Sequence, residues 1–135
     1  MKELRVSAEV EQLEKVQEFV ESELEGSGFS MKQIMQVEIA VEEIFCNIAN
    51  YAYHPTEGEA LIRCSLEDDD SLRIEFIDSG MPYNPLERED PDITLNAEER
   101  EIGGLGIFLT KKLMDTVEYH HESGKNVLVV KKSKG

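Results

Sequence analysis

The sequence predicts an α+β fold: a two-layer sandwich with helices on one face of a mixed, mostly antiparallel sheet. Three observations carry that expectation. Two long segments repeat apolar residues at helical spacing. Two pairs of short segments alternate apolar with more polar residues, as half-buried strands do. Their order along the chain, β-α-α-β-β-lid-α-β-β, separates paired strands from helices, which favours a sheet covered on one side. With 135 residues and no dividing linker, residues 1–135 read as a single domain.

Leu4 to Ser7 is a short strand candidate. From Ala8 to Glu25, Val10, Leu13, Val16, Val20 and Leu24 form one apolar stripe, and Gly26-Ser27-Gly28 stops the helix. Ser30 is a plausible N-cap for a second helix running towards Tyr53, with Ile34, Val37, Val41, Ile44, Phe45 and Ile48 on its apolar side. Pro55 and Gly58 end it. Ala60, Ile62, Cys64 and Leu66 alternate in one strand, and Leu72, Ile74 and Phe76 in the next. The acidic run from Glu67 to Asp70 joins them as a hairpin. Ser79 to Ile102 contains three prolines and little periodicity, with one capping box offered by Asn96 and Glu99. A loop of that length in a small domain is usually a lid. Gly103-Gly104-Leu105-Gly106 opens a third helix, Ile107 to Asp115, and strands around Val117 to His121 and Val127 to Lys131 close the chain.

Apolar residues make up 40% of the chain and charged ones 32%, which supports a packed core and argues against a wholly disordered chain. Acidic residues outnumber basic ones 29 to 14, for a net charge of −15. Such a surface repels phosphate backbones and anionic lipid, so nucleic acid and membrane are poor partners. Cys46 and Cys64 lack metal or redox spacing and read as reduced core thiols. With no long apolar run, the expectation is a soluble, cytoplasmic protein. His54, His120 and His121 have no ligand-spaced partners and read as non-catalytic.

Three short segments could carry chemistry. Glu43 and Asn47 are four apart and Asn50 seven from Glu43, so an α-helix puts all three on one polar stripe. A carboxylate base beside an amide ligand for Mg²⁺ fits that stripe, and so does an ordinary solvated face. Asp78 shares the parity of Leu72, Ile74 and Phe76, which points it to the core side of the sheet. A carboxylate there costs several kcal/mol unless it receives hydrogen bonds, and an adenine amino group would supply one. The strand could instead end at Ile77, leaving Asp78 to open an Asp-Ser-Gly turn. Gly80 suits either an unusual backbone angle or a close approach. The glycines at 103, 104 and 106 precede an apolar helix whose N-terminal amides could face phosphate oxygens, or they are a hinge. Neither GxGxxG nor GxxxxGK[ST] occurs, so the dinucleotide fold and the P-loop lose support.

Taken together, these segments resemble the GHKL or Bergerat-fold ATPases. Glu42 to Tyr53 looks like their N box, Asp78-Ser79-Gly80-Met81-Pro82 like the first glycine box, and Gly103-Gly104-Leu105-Gly106-Ile107-Phe108-Leu109 like the second. The likeness runs from Leu4 to Lys131, and within the superfamily it is nearest to the anti-sigma-factor serine/threonine kinases. It implies ATP and Mg²⁺ as cofactors, Glu43 as general base, and Asn47 as metal ligand. Asp78 would take the adenine amine, with Gly80 and Pro82 beside the base. Gly103, Gly104, Leu105, Gly106 and Ile107 would line the phosphates, with Asn50 on the N-box side. It further implies an anti-anti-sigma-type protein substrate, sequestration of a sigma factor, and a homodimer. Tyr51 departs from the histidine of several relatives. Arg88 and Arg100 are the lid's only cations, each a candidate for the γ-phosphate and each also suited to plain surface.

Three rival functions share these contacts. One is a non-catalytic module whose ATP-ordered lid creates or hides a protein-docking surface. Another is the ATP-binding half of a histidine kinase, disfavoured because no phosphoacceptor domain fits in this length. The third is an ATP hydrolase of the gyrase kind, disfavoured because no transducer domain is present.

Overall fold

The computed structural model describes residues 2–53, 58–67, 70–82 and 104–134. Five strands form one sheet: β1 Lys2–Ser7, β2 Glu59–Leu66, β3 Ser71–Asp78, β4 Thr116–Glu122 and β5 Lys125–Ser133. Their spatial order is β1-β2-β3-β5-β4, and every one of these neighbours is antiparallel. The helices are α1 Leu13–Leu24, α2 Met31–Asn47 and α3 Gly104–Leu113.

Three boundaries differ from the sequence expectation. A 3₁₀ turn, Val10–Gln12, precedes α1, and its Val10 stays exposed instead of joining the apolar stripe. The second helix is α-helical only to Asn47, then widens into a π-helical turn, Ile48–Ala52. The third helix starts at Gly104 and stops at Leu113, so Gly104 and Gly106 belong to its first turn and Asp115 lies beyond its end. The lid from residue 83 onward lies outside the described residues, together with Arg88, Arg100, Gly103 and the Asn96–Glu99 turn, as does His54.

Ser30 starts α2 with a capping box. Its hydroxyl accepts from the Gln33 amide at 3.1 Å, and the Gln33 side-chain oxygen accepts from the Ser30 amide at 2.9 Å. Two of the four orphan amides of a helix start are satisfied this way. The Gln33 side-chain nitrogen also reaches the Lys134 carbonyl at 2.8 Å, which ties the start of α2 to the stretch that follows β5.

One core joins the layers. Val16, Val20 and Leu24 of α1 and Val37, Val41, Ile44 and Phe45 of α2 pack with Ile62, Leu72, Ile74 and Phe76 of the sheet. Phe45 and Phe76 are among the largest fully buried side chains, each worth about 2–3 kcal/mol of burial. Alternation along β3 puts Leu72, Ile74 and Phe76 on this covered side. On the other side Glu75 receives Arg73 at 3.0 Å and Arg63 at 3.3 Å, which compensates a nearly buried charge. Both cysteines are free thiols. Cys64 lies in the core, where burial pushes its thiol up to about 12, whereas Cys46 is only half-buried on α2. Among the described residues no helix is long and apolar enough to cross a membrane.

Candidate functional site

The site begins on α2. Glu43 and Asn47 lie one helical turn apart and both are half-buried. Partial burial raises the Glu43 carboxyl above its ordinary value, and the neighbouring Glu42 charge adds to the effect. Among the described residues no side chain or amide bonds the Glu43 carboxylate or the Asn47 amide, so both are available to a ligand. α3 packs against α2.

Asp78 occupies the last position of β3 and is 7% exposed, so the strand does not end at Ile77 and the carboxylate keeps the core-side parity of Leu72, Ile74 and Phe76. That carboxylate is not left bare. Oδ1 accepts from the Gly80 amide at 2.9 Å and from the Asn126 side chain at 3.0 Å. Both bonds fall on Oδ1, and among the described residues no donor reaches Oδ2. A buried carboxylate with one oxygen saturated and one vacant suits a ligand that donates a single hydrogen bond.

Asn126 is a site residue that carries no local sequence signal. Its side-chain nitrogen also donates to the Met81 carbonyl at 2.9 Å, and its oxygen accepts from the Tyr119 hydroxyl. β5 thus braces both Asp78 and the turn that follows it. The same turn is braced from the end of the α2 run. The Met81 amide donates to the Ala52 carbonyl at 3.0 Å. A Cβ on Gly80 would lie 2.2 Å from that carbonyl oxygen, so Gly80 is required by close approach of two backbones and not by an unusual φ. The Tyr53 hydroxyl accepts from the Ser79 amide at 2.7 Å and donates to the Glu59 carbonyl at 2.7 Å. Pro82 is exposed just beyond this brace.

The expected residues are not all brought together. Asn50 falls within the π-helical turn, which breaks the seven-residue repeat that would align it with Glu43. It is exposed and lines a separate cleft of about 510 Å³, with Ser7, Glu9, Glu11 and Glu59 among its walls. Gly104, Leu105, Gly106 and Ile107 form the first turn of α3, whose free amides carry the partial positive end of the helix. His120 is paired with Glu118 at 3.8 Å on exposed surface.

The family model described as "Histidine kinase-like ATPase domain" matches residues 6–132. The chain belongs to that ATPase family. Within it, the chain groups with serine-protein kinases. It is 31% identical over 109 residues to the serine-protein kinase RsbW of Listeria monocytogenes serovar 1/2a, covering 78% of this chain and 69% of the relative. It is 34% identical over 108 residues to the serine-protein kinase RsbW of a Bacillus cereus strain, covering 77% and 67%. Solved structures share the fold. The RsbU and RsbW domains of Rv1364c from Mycobacterium tuberculosis superpose with a TM-score of 0.67 at 15% identity, over 98% of this chain and 32% of that one. A blue-light activated histidine kinase domain from Erythrobacter litoralis gives 0.58 at 13% identity, over 93% and 60%. This chain therefore spans less than two thirds of either solved chain.

A histidine kinase-like ATPase uses ATP, and the described residues fit that nucleotide. The vacant Oδ2 of Asp78 matches an exocyclic amine, and the unbonded Asn47 amide offers an oxygen to a hard cation. Among the described residues no three His, Cys, Asp or Glu side chains form a metal cage.

Proposed function

We propose that this chain is an ATP-Mg²⁺-dependent serine/threonine kinase of the anti-sigma-factor type, transferring phosphate to an anti-anti-sigma-like protein. The half-satisfied Asp78 carboxylate carries the reading. A carboxylate at the end of a core strand, with Oδ1 doubly bonded and Oδ2 open, is a good purine-amine acceptor. The RsbW relatives support the choice of protein serine as acceptor over histidine or water.

Each residue then has a task. Asp78 Oδ2 accepts from the adenine amine while Asn126 and the Gly80 amide hold Oδ1 fixed. Gly80 and Pro82 flank the base. The first-turn amides of α3, from Gly104 to Ile107, face the phosphates. Asn47 holds Mg²⁺, which neutralises phosphate charge when bound. Glu43 takes the proton of the acceptor hydroxyl as its oxygen bonds to the γ-phosphorus and the bond to ADP breaks. Its raised carboxyl makes it a better base than a solvated glutamate. Asn50, turned to another cleft, has no task in this scheme. The product protein would belong to a pathway in which a sigma factor is released or held.

The test is label transfer from radiolabelled ATP to proteins captured with Mg-ATP, comparing wild type with Glu43→Ala. Transfer to serine or threonine by wild type alone supports the proposal. Intact nucleotide binding with no transfer by either protein would favour a non-catalytic docking module. Absence of any heat with Mg-ADP would sink the nucleotide reading itself.

A further inference from the structure

Three consecutive amides follow Asp78, and each donates to a different acceptor. The Ser79 amide donates to the Tyr53 hydroxyl at 2.7 Å, the Gly80 amide to Asp78 Oδ1 at 2.9 Å, and the Met81 amide to the Ala52 carbonyl at 3.0 Å. The Gly80 bond lies within the turn and moves with it. The other two tie the turn to the end of the helical run that carries Glu43 and Asn47. The Ala52 tie is backbone, whereas the Tyr53 tie depends on a side chain. That side chain is itself held in place. Its ring packs against the hydrophobic core and lies so near Gly58 that a Cβ there would fall 2.3 Å from it. Its hydroxyl donates to the Glu59 carbonyl at 2.7 Å, which leaves the phenol oxygen to accept from Ser79. One phenol thus spans the start of β2 and the exit of β3.

We infer that Tyr53 is a positioning residue that sets selectivity for a purine with an exocyclic 6-amine. The inference deepens the proposed function and rests on Asp78 reading that amine. The Ser79 amide belongs to the planar peptide that leaves Asp78, so holding it fixes the main chain at the reader. The same hold keeps the Gly80 amide on Oδ1 and leaves Oδ2 as the open acceptor. Without the hydroxyl the turn keeps its Ala52 tie but loses the one nearest Asp78. The Gly80 amide then shifts, the carboxylate follows it, and the bond to the amine loses alignment. Phosphate contacts come from other elements and are untouched. Ser79 and Glu59 are exposed, so water satisfies both groups once the hydroxyl is gone, and the fold loses little.

The test is titration calorimetry on the full chain with two nucleotides, Mg-ADP and the Mg complex of purine riboside diphosphate, which lacks the exocyclic amine. Wild type should prefer ADP about ten- to a hundredfold, the worth of one hydrogen bond to a charged acceptor. Tyr53→Phe should weaken ADP about tenfold and leave purine riboside diphosphate unchanged, so the preference shrinks about tenfold. Gly58→Ala reaches the same end by a second route, because it keeps the hydroxyl and pushes the ring aside. Adding Tyr53→Phe to Asp78→Asn should cost ADP nothing more, since the two act on one bond. A strut with no part in base recognition would weaken both nucleotides equally, and that result overturns the inference. So does an unchanged ADP affinity in Tyr53→Phe. A wild type that binds both nucleotides alike defeats the adenine reading of Asp78 itself, and the inference with it. The wild-type arm therefore tells the two failures apart.

Discussion

Asp78 and Asn126 sit opposite each other in the β3–β5 register, and the Asn126 amide donates to Asp78 Oδ1 at 3.0 Å. Under the proposed function, this pair separates adenine recognition from stability. Asp78→Asn retains an acceptor for Asn126 and Gly80 but turns a donor towards the ligand. Mg-ADP affinity should fall about ten- to a hundredfold in calorimetry, with little change in melting temperature. Asn126→Ala should do the reverse in part. It strands the Asp78 oxygen, the Met81 carbonyl and the Tyr119 hydroxyl, and should cost about 1–3 kcal/mol in urea unfolding.

Glu43→Gln should lower kcat about 10²–10⁴-fold and leave Mg-ADP binding unchanged. The acid limb of the wild-type pH–rate profile should lie above the ordinary carboxylate value of 4.5, because burial and then Glu42 raise this group. Glu42→Gln removes the second cause, so it should move that limb to lower pH. A limb that stays fixed would take the base assignment away from Glu43.

Gly80→Ala should destabilise the chain by about 1–3 kcal/mol, the usual scale of overpacking. Its new methyl would sit 2.2 Å from the Ala52 carbonyl oxygen, which is backbone and cannot rotate aside. Thermal melting and Mg-ADP affinity should fall together, since the turn after Asp78 must shift to admit the methyl.

The Glu38 carboxyl is pushed up to about 7, first by a hydrogen bond with Glu21 of α1, then by burial and by repulsion from the Glu21 charge. Unfolded, the same carboxyl titrates near 4.5, so the folded chain holds this proton more tightly. The added stability is fully present below the unfolded value and is lost as pH rises through about 7. Solvent screening limits it to about 0.5 kcal/mol. Glu21→Gln should flatten the fall in urea midpoint between about pH 5 and pH 8.

Much of the fold and part of the site are legible in the chain itself. The Ser30 cap follows from a serine three residues before a glutamine, and the burial of Asp78 follows from strand parity. Both are local rules, fixed by two or three neighbouring residues. Asn126 is not legible, because its importance comes from the strand register that sets it across from Asp78, and no local pattern encodes that partner. Asn50 misleads for a related reason. A seven-residue spacing aligns side chains only if the helix keeps its pitch, and here it widens after Asn47. The role of Gly80 is half legible: the residue type signals a close approach, but the neighbour is the end of the α2 run and not only a ligand.

That neighbour has an evolutionary corollary. Ala52 ends the helical run that carries Glu43 and Asn47, and its carbonyl holds the amide of Met81, three residues past Asp78. Under the proposed function, purine reader and proton acceptor share one mechanical mounting. A lineage that drifted towards another nucleobase by reshaping the Asp78 turn would disturb the geometry of transfer in the same step. Divergence among such enzymes should therefore concentrate in what they phosphorylate, while their fuel stays the same.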